Sequence, residues 1–320
     1  MPALIALGII GFGVMGERLL RAALSHAADF VTPVGVWDPA AEAVIRLAGV
    51  SSEVPMLASA EAVIADSECV YIAAPPSAHI PLAEAALASG RAVFLEKPLA
   101  TDLARARAFV AMAEASGARA AVNFPMASSP AVAQLATCCA DVTPTSLAIE
   151  VAFATWPRGW QRDAAVWLAR RTEDGFTREV VSHFLFLTRR LLGPLMLEGR
   201  TATFPPGDAA ETAIRARLSA GGVPVTLTGS VGTTSQDDHN TWTLNGSIRL
   251  RDWSIVERLG PDGDWGEVHG AMLNDRMRHL VLRDQLAAVA AMTRGEFHAL
   301  ASLREALDVQ EIVEGILYTH

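Results

Sequence analysis

The sequence is poor in cysteine, with three residues of this type, Cys69, Cys138 and Cys139, in a chain of 320. They form no C-x-x-C pair and no even set in a short chain, so the pattern excludes a disulfide framework and a cysteine-based metal site. Such sparse cysteine is typical of a reducing compartment, and we expect all three to be small buried apolar residues.

The sequence also lacks an excess of positive charge. Its 26 lysines and arginines stand against 35 aspartates and glutamates, a formal net charge of −9. Nucleic acids and anionic membranes bind to basic surfaces, so we expect neither to be a partner. A small-molecule substrate is still compatible with this charge, because its site can be locally basic.

No charged side chain occurs between Met1 and Gly16. A signal peptide needs a basic region before its apolar stretch, and this segment has none. It is also too short to span a bilayer. We therefore interpret it as a buried strand followed by a glycine turn, in a cytoplasmic protein.

The length of 320 residues predicts two domains. Apolar runs alternate with alanine-rich amphipathic stretches up to about residue 124, a pattern that indicates a doubly wound parallel sheet, the Rossmann arrangement. The predicted strands are 4–10, 32–37, 69–74, 92–95 and 118–123, and the predicted helices are 17–25, 40–47, 78–89 and 103–116. We assign residues 1–124 to dinucleotide binding.

The pattern changes in the second part, residues 125–320. A helix is predicted over Phe176–Leu192, which ends at Gly193-Pro194. Short β-like runs with turn residues between them follow up to about Val268, and two helices close the chain. We expect an α+β domain with an open, largely antiparallel sheet, used for substrate binding and oligomerisation, whose closing helix packs back on the first domain. A sheet with helices on one face predicts a homodimer or homotetramer through the other face.

A G-x-G-x-x-G motif follows the first predicted strand and opens a helix, the context in which this motif binds a dinucleotide. Asp38 ends the second strand, where a carboxylate accepts hydrogen bonds from the adenine ribose and repels a 2′-phosphate, so NAD is favoured over NADP. Asp-Pro is also a common turn starter. The candidate cofactor-binding residues here are Gly11, Phe12, Gly13, Val14, Met15, Gly16 and Asp38.

Two further loops lie at the carboxyl ends of predicted parallel strands, where open α/β sheets bind ligands. A lysine there, beside an apolar strand and a nicotinamide, can have its pKa lowered and act as an acid or base. Taken alone, Glu96-Lys97-Pro98 is an ordinary tripeptide, and its default interpretation is a solvated surface lysine. The loops add these cofactor-binding candidates: Ala74, Pro75, Pro76, Ser77, His79, Glu96 and Lys97.

In this order and at these separations, the glycine turn, the Pro75–His79 segment and Glu96-Lys97-Pro98 resemble the glucose–fructose oxidoreductase/inositol dehydrogenase (Gfo/Idh/MocA) family. The resemblance implies that Lys97 contacts both the substrate and the nicotinamide ribose. It also implies that a glycine turn leads into a helix with an acid and, four residues later, a histidine. Glu179 and His183 match these positions after Gly175. The chain departs from the family in having Glu for the usual Asp and in keeping a single glycine.

The segment from Trp156 to Arg178 is rich in tryptophan and arginine. Arginine pairs bidentately with carboxylates, so this segment is a candidate for gripping an acidic or polyhydroxylated substrate. Subunit contacts and surface ion pairs explain it equally well. The substrate-binding candidates are Lys97, Arg158, Trp160, Arg178 and His183.

These features together predict an enzyme that transfers hydride between NAD and a secondary alcohol or carbonyl of a sugar, cyclitol or related small molecule. Lys97 and His183, with Glu179 as the partner of the histidine, are the catalytic candidates, and no metal is expected. Two alternatives stay open. One is a non-catalytic sensor of a dinucleotide or sugar, and the other is an enzyme that retains NAD and uses transient oxidation to cleave a glycosidic bond or eliminate a group.

Overall fold

A computed structural model describes residues 3–158, 168–171, 175–232 and 238–318. The chain divides into two compact units. The first unit is Met1–Ser128 with Arg278–Leu307, and the second is Ser129–Met277 with Asp308–His320. The sequence predicted a cofactor-binding domain over residues 1–124 and a substrate-binding domain over residues 125–320. That functional assignment of the two domains stays a prediction.

The first unit is built on a parallel sheet, and its described strands follow the order β2-β1-β3-β4-β5. The strands are β1 (Ile5–Ile10), β2 (Val31–Trp37), β3 (Cys69–Ile72), β4 (Ala92–Leu95) and β5 (Ala120–Val122). The helices between them are α1 (Val14–His26), α2 (Glu42–Ala48), α3 (Ala60–Asp66), α4 (Pro76–Ala88) and α5 (Leu103–Ser116). Every residue of β3 and β4 is buried, as expected of strands covered on both faces. The predicted doubly wound sheet is confirmed.

The boundaries of α1, α2 and α4 differ from the prediction, and a further helix, α3, was missed. Helix α3 was not predicted, because its alanines lie on both its buried and its exposed side and weaken the apolar pattern. Its start is marked by Ser59, whose hydroxyl accepts a hydrogen bond from the amide of Ala62 at 3.2 Å. Helix α4 begins at Pro76, two residues before the predicted start, because proline is tolerated at a first helical position. Helix α1 begins at Val14, directly after the glycine turn.

The second unit contains a mixed sheet whose described strands follow the order β13-β12-β11-β10-β6-β9-β8-β7. Neighbouring strands are antiparallel except β6 and β9, which are parallel. The strands are β6 (Leu147–Phe153), β7 (Leu195–Thr203), β8 (Ala213–Ala220), β9 (Val223–Val231), β10 (His239–Leu244), β11 (Ile248–Arg251), β12 (Ile255–Leu259) and β13 (Trp265–Glu267). The described helices that lie wholly in this unit are α6 (Pro130–Cys139), a π-helical turn (Thr177–Val181) and α7 (Ser182–Leu192). Two more helices, α8 (Asn274–Arg294) and α9 (Leu303–Leu317), have residues in both units. The predicted open, largely antiparallel sheet is confirmed.

Residues of β6, β8 and β9 alternate between buried and more exposed positions, so one face of this sheet is covered. Helix α7 packs on β8 and is almost entirely buried on its inner side. The indole N–H of the fully buried Trp242 donates to the hydroxyl of Thr188 on α7 at 2.9 Å. Aromatic burial and this satisfied polar contact together anchor α7 against the sheet.

The cysteines are free thiols, and burial raises the pKa of Cys69 to about 12 and that of Cys139 to about 11. These thiols therefore stay protonated at neutral pH. Among the described residues, no cluster of His, Cys, Asp or Glu has the makeup of a metal site. The described helices also include none with the length and apolar character that crossing a membrane requires.

Candidate functional site

The glycine turn between β1 and α1 is shaped by close backbone approaches. Gly11 has φ +92°, and a Cβ there would meet the backbone of Ala73 and Ala74 at 2.5 Å. A Cβ on Gly16 would collide with the carbonyl oxygen of Gly11. At Gly13 the Cβ direction is open, and this residue precedes the first helical turn without a side chain to cap it. A helix start without a side-chain cap, at a glycine with open space beside it, is the arrangement in which backbone amides bind a phosphate.

Asp38, at the end of β2, is tied to this turn. Its Oδ2 accepts a hydrogen bond from the amide of Phe12 at 2.6 Å, and its Oδ1 accepts one from the amide of Ala40 at 2.8 Å. The carboxylate therefore holds the glycine turn in register with β2. Phe12 contributes its amide to Asp38 and its side chain to the core, where it is 1% exposed.

The loops after β3 and β4 are joined by His79, whose side chain is buried. Its Nε2 lies 2.7 Å from the carbonyl oxygen of Ala74, and its Nδ1 lies 2.8 Å from that of Pro98. Burial lowers the pKa of the imidazole, and the two carbonyl acceptors oppose that shift. Each ring nitrogen lies against a carbonyl oxygen of one loop, and the neutral imidazole donates from one of the two, so His79 acts as a brace between the loops. Its direct contact with a cofactor stays a prediction.

Glu96, in the Glu96-Lys97-Pro98 loop, is hydrogen-bonded to a buried chain of polar side chains. The sequence had not predicted a role for its other members, Tyr71, Asn123 and Gln285. The Tyr71 hydroxyl donates to Glu96 Oε1. The amide nitrogen of Asn123 donates to the same oxygen at 2.5 Å, and Gln285 Nε2 donates to Asn123 Oδ1 at 2.7 Å. Burial and then the neighbouring Glu96 charge raise the pKa of Tyr71 well above its usual range. Tyr71 therefore keeps its proton and serves as a donor.

Lys97 itself is half-buried and follows Glu96 directly. Glu96 is 9% exposed, and its amide donates to the carbonyl of Ile72 at 2.9 Å. The backbone that carries Lys97 is therefore held by both strand pairing and the buried chain from Tyr71 to Gln285. A surface loop without such support would leave the ammonium group without a defined place.

In the second unit, the predicted helix over Phe176–Leu192 begins as the π-helical turn Thr177–Val181. Gly175 precedes it with φ +119°, and a Cβ there would collide with the Glu211 carboxylate. Glu211 is 1% exposed, and its Oε1 accepts a hydrogen bond from the Thr177 amide at 2.7 Å. This buried carboxylate caps the helix from another part of the chain, which local periodicity does not reveal. Burial raises the pKa of Glu211, opposed by its Thr177 donors.

Glu179 and His183 each have an identified neighbour in this unit. Glu179 Oε1 lies 4.0 Å from Nη2 of Arg158, so two predicted site residues come together. The His183 imidazole makes an edge contact with the indole of Trp253, with ring centroids 5.5 Å apart. The wide π turn, rather than the regular α-helix that was expected, precedes His183. A pairing of Glu179 with His183 stays a prediction.

Arg178 is engaged inside the second unit. Its Nε and Nη2 each lie 2.7 Å from a carboxylate oxygen of Glu314, and the side chain is 8% exposed. The Glu314 carboxylate raises the pKa of Arg178 against the opposing effect of burial. This bidentate pair favours the structural alternative for Arg178 over a grip on substrate. Trp160 lies outside the described residues.

Comparison with known proteins assigns the first unit. Residues 5–124 match the family model GFO_IDH_MocA, described as an oxidoreductase family with an NAD-binding Rossmann fold. The inositol 2-dehydrogenase of Cereibacter sphaeroides is 40% identical over 116 residues, which are 35% of this chain and 34% of that protein. The matched segment therefore spans well under half the length of this curated relative.

Solved structures extend the likeness in fold to both units. The UDP-N-acetylglucosamine 3-dehydrogenase of Acidithiobacillus ferrooxidans has a TM-score of 0.76 at 19% identity, covering 98% of this chain and 97% of that one. An oxidoreductase of Agrobacterium radiobacter, solved with NAD+, L-tartaric acid and magnesium, has a TM-score of 0.77 at 18% identity, covering 98% and 95%. At these identities the likeness shows the fold alone. Residues 5–124, with their glycine turn and their Glu96-Lys97-Pro98 loop, match the Gfo/Idh/MocA oxidoreductase family over its NAD-binding Rossmann fold.

Proposed function

We propose that this protein is an NAD-dependent oxidoreductase that acts on a secondary alcohol or carbonyl of a sugar, cyclitol or related small molecule. The observation that supports this most directly is the buried support of the loop that carries Lys97. Tyr71, Asn123 and Gln285 form a hydrogen-bonded chain to Glu96, and His79 braces the same loop. Fixing a lysine this firmly beside a dinucleotide-binding turn suits a residue that must meet a reacting atom.

The residues around the glycine turn fit a dinucleotide. Gly11 and Gly16 are held at distances that exclude a Cβ, while the open side of Gly13 leaves room for a pyrophosphate at the start of α1. Bound NAD would supply the acceptor or donor of the hydride. The other cofactor-binding residues that we propose are Val14, Met15, Asp38, Ala74, Pro75, Pro76, Ser77 and Glu96.

We propose that Lys97 accepts the proton of the substrate hydroxyl. A base is needed there because hydride leaves the carbinol carbon as that proton is withdrawn. His183 is the second proton-transfer group in this proposal, and Glu179 stabilises its charged form. Lys97 belongs to the first unit and His183 to the second. Arg158 is the substrate-binding arginine that we retain, since Arg178 is occupied by Glu314.

We propose NAD rather than NADP as the cofactor because a carboxylate, Asp38, ends β2. One arginine of α1, Arg21, and one of α2, Arg46, are paired with Glu17. Arg21 lies 2.8 Å and Arg46 lies 3.4 Å from its carboxylate oxygens. Titration of the protein with both nucleotides tests this, and Asp38→Ala should narrow the difference in affinity. Tighter binding of NADPH by the unaltered protein would contradict the proposal.

A panel of myo-inositol, free and nucleotide-linked sugars and tartrate, each supplied with NAD, tests the reaction by the absorbance of NADH. Turnover of a polyol or sugar supports the proposed function. Binding without turnover would favour the sensor, and nicotinamide that stays with the protein through purification would favour the NAD-retaining enzyme.

We also propose that the protein forms a homodimer or homotetramer through the exposed face of its larger sheet. This face carries Glu150, Arg215, Arg217, Thr226 and Thr228, which alternate with buried apolar neighbours. Light scattering during size-exclusion chromatography measures the oligomeric state, and a monomer at micromolar concentration would contradict this.

A further inference from the structure

Two neighbouring hairpin turns in the second unit share one backbone geometry but use different residues. Asn245-Gly246 joins β10 to β11 with φ of 51° and 63°, and Asp252-Trp253 joins β11 to β12 with φ of 49° and 71°. Each turn is closed by a backbone hydrogen bond, from Ser247 to Leu244 and from Ser254 to Arg251. Positive φ at both central positions is the property of type I′ turns, which favour Asn-Gly.

Trp253 therefore stands at a position that the backbone favours for glycine. A left-handed backbone brings the Cβ of an L-residue close to the following carbonyl oxygen, and glycine avoids this contact. Asparagine and aspartate tolerate the geometry because their short side chains bond locally, whereas an indole has no such compensation. Strained residues of this kind persist where the surrounding structure holds them, often at functional sites.

The contacts of Trp253 identify what holds it. Its ring centroid lies 5.1 Å from that of Phe184 and 5.5 Å from that of His183, in an edge arrangement with the imidazole at 75°. Both partners are in the first turn of α7. Aromatic rings at these separations attract each other, and an edge contact has a preferred orientation. The strained turn thus places an indole against the imidazole that we have assigned to proton transfer.

We propose that Trp253 is a positioning residue whose indole fixes the orientation of the His183 imidazole. This inference rests on the proposed function, in which His183 transfers a proton. The torsion that rotates an imidazole about its bond to Cβ has broad minima, so the ring needs an external contact to keep one orientation. Proton transfer requires a ring nitrogen within hydrogen-bond reach of the substrate, and small displacements are costly.

Three variants of the full-length protein separate this role from simple packing. Trp253→Gly removes the indole and, because glycine has no Cβ, also the steric cost of the positive φ. Trp253→Phe keeps an aromatic ring at the same place. Asp252→Gly is the matched control, because it relieves a positive φ in the same turn and leaves the indole untouched. Circular dichroism and thermal melting establish that each variant is folded.

The deciding measurement is the NMR signal of the His183 ring, assigned by its loss in His183→Asn. We expect the ring resonances to move in Trp253→Gly, to stay near their original positions in Trp253→Phe, and to be unchanged in Asp252→Gly. Resonances of Trp253→Gly that coincide with those of the unaltered protein would overturn the proposal. This readout requires no turnover, so it stands apart from any failure of the proposed function.

Kinetics then test the consequence with the panel substrate that gives the fastest NADH formation. We expect kcat to fall about 10- to 100-fold in Trp253→Gly, with the KM for NAD unchanged and much of the rate restored by Trp253→Phe. An unaltered kcat in folded Trp253→Gly would also overturn the positioning role. If the panel shows no turnover, the proposed function fails while the NMR result still decides the contact.

Discussion

Replacing Asn123 by leucine, which has nearly the same shape, should destabilise the first unit more than any other single change in the buried chain behind Lys97. Asn123 is 2% exposed and joins Glu96 to Gln285, which is fully buried. The substitution removes a donor to a carboxylate, a bond that contributes about 1.5–3 kcal/mol. It also leaves the Gln285 amide N–H without that acceptor, at a cost of about 1–3 kcal/mol. The expected loss in the free energy of unfolding is about 2.5–6 kcal/mol, the sum of these two ranges.

Gln285→Leu is the matched control for this change. It removes one end of the chain, and it also removes Gln285 Oε1, a buried atom without a hydrogen-bond partner in the described part of the protein. Its cost should therefore be smaller than that of Asn123→Leu. The double variant should cost less than the sum of the single variants, because Asn123→Leu then no longer strands the glutamine.

Urea unfolding, followed by circular dichroism and by fluorescence, measures these free energies, and agreement of the two probes tests for a two-state transition. The Asn123→Leu and Gln285→Leu variants should also lose activity. Without the hydrogen bonds that hold Glu96, the adjacent Lys97 should be displaced as well. A displacement of about 1 Å at a reacting group can cost about 10²-fold in rate. A loss of stability below about 1 kcal/mol for Asn123→Leu would refute the energetic reasoning, since a stranded buried donor cannot be that cheap.

Three further predictions follow from the site. Lys97→Met and His183→Ala should each lower kcat by about 10²- to 10⁴-fold and leave NADH binding within a few-fold. Steady-state kinetics of the double variant should be little worse than those of the poorer single variant, whereas turnover by Lys97→Met near the original rate would contradict the mechanism. Burial raises the pKa of Glu211, so the folded state retains that proton at pH values where the unfolded chain has lost it. The stability contributed by this carboxyl is thus full below the ordinary pKa of 4.5 and is lost as the pH rises through the folded value. Urea midpoints should shift in favour of Glu211→Gln as the pH rises from 4.5 towards 7, and a constant difference would argue against a raised pKa. Arg178→Ala breaks a buried ion pair and should cost about 3–5 kcal/mol of stability. Arg158→Ala should instead raise the KM for substrate, and an unchanged KM would support a structural role for both arginines.

The predicted elements show how far local pattern carries. Strand β4 and helix α5 were predicted with the observed bounds, because a buried strand or a helix is recognisable from its own residues. Helix α3 was missed, because alanines on both its buried and its exposed side weaken the contrast between the two faces. The strand β3 ends at Ile72, two residues before the prediction, since the backbone leaves the sheet before the apolar run stops.

Sequence by itself determined the parts of this protein that are local and repeated. The glycine turn, the order of strands and helices in the first unit and the family motif Glu96-Lys97-Pro98 all depend on short stretches of chain. Backbone sterics and the hydrophobic period are properties of neighbouring residues, so they can be predicted from the sequence.

Tertiary structure alone decided which side chains support those motifs. Asn123 and Gln285 are 162 positions apart, Thr177 and Glu211 are 34 apart, and His183 meets Trp253 across two elements of the second unit. The same holds for Arg178. Its local sequence predicted a contact with substrate, whereas in the structure it pairs with Glu314. Contacts of this kind form because a buried polar group needs a hydrogen-bond partner, and that partner can come from any part of the packed chain. The spacing of residues in the sequence therefore does not predict which partner it is.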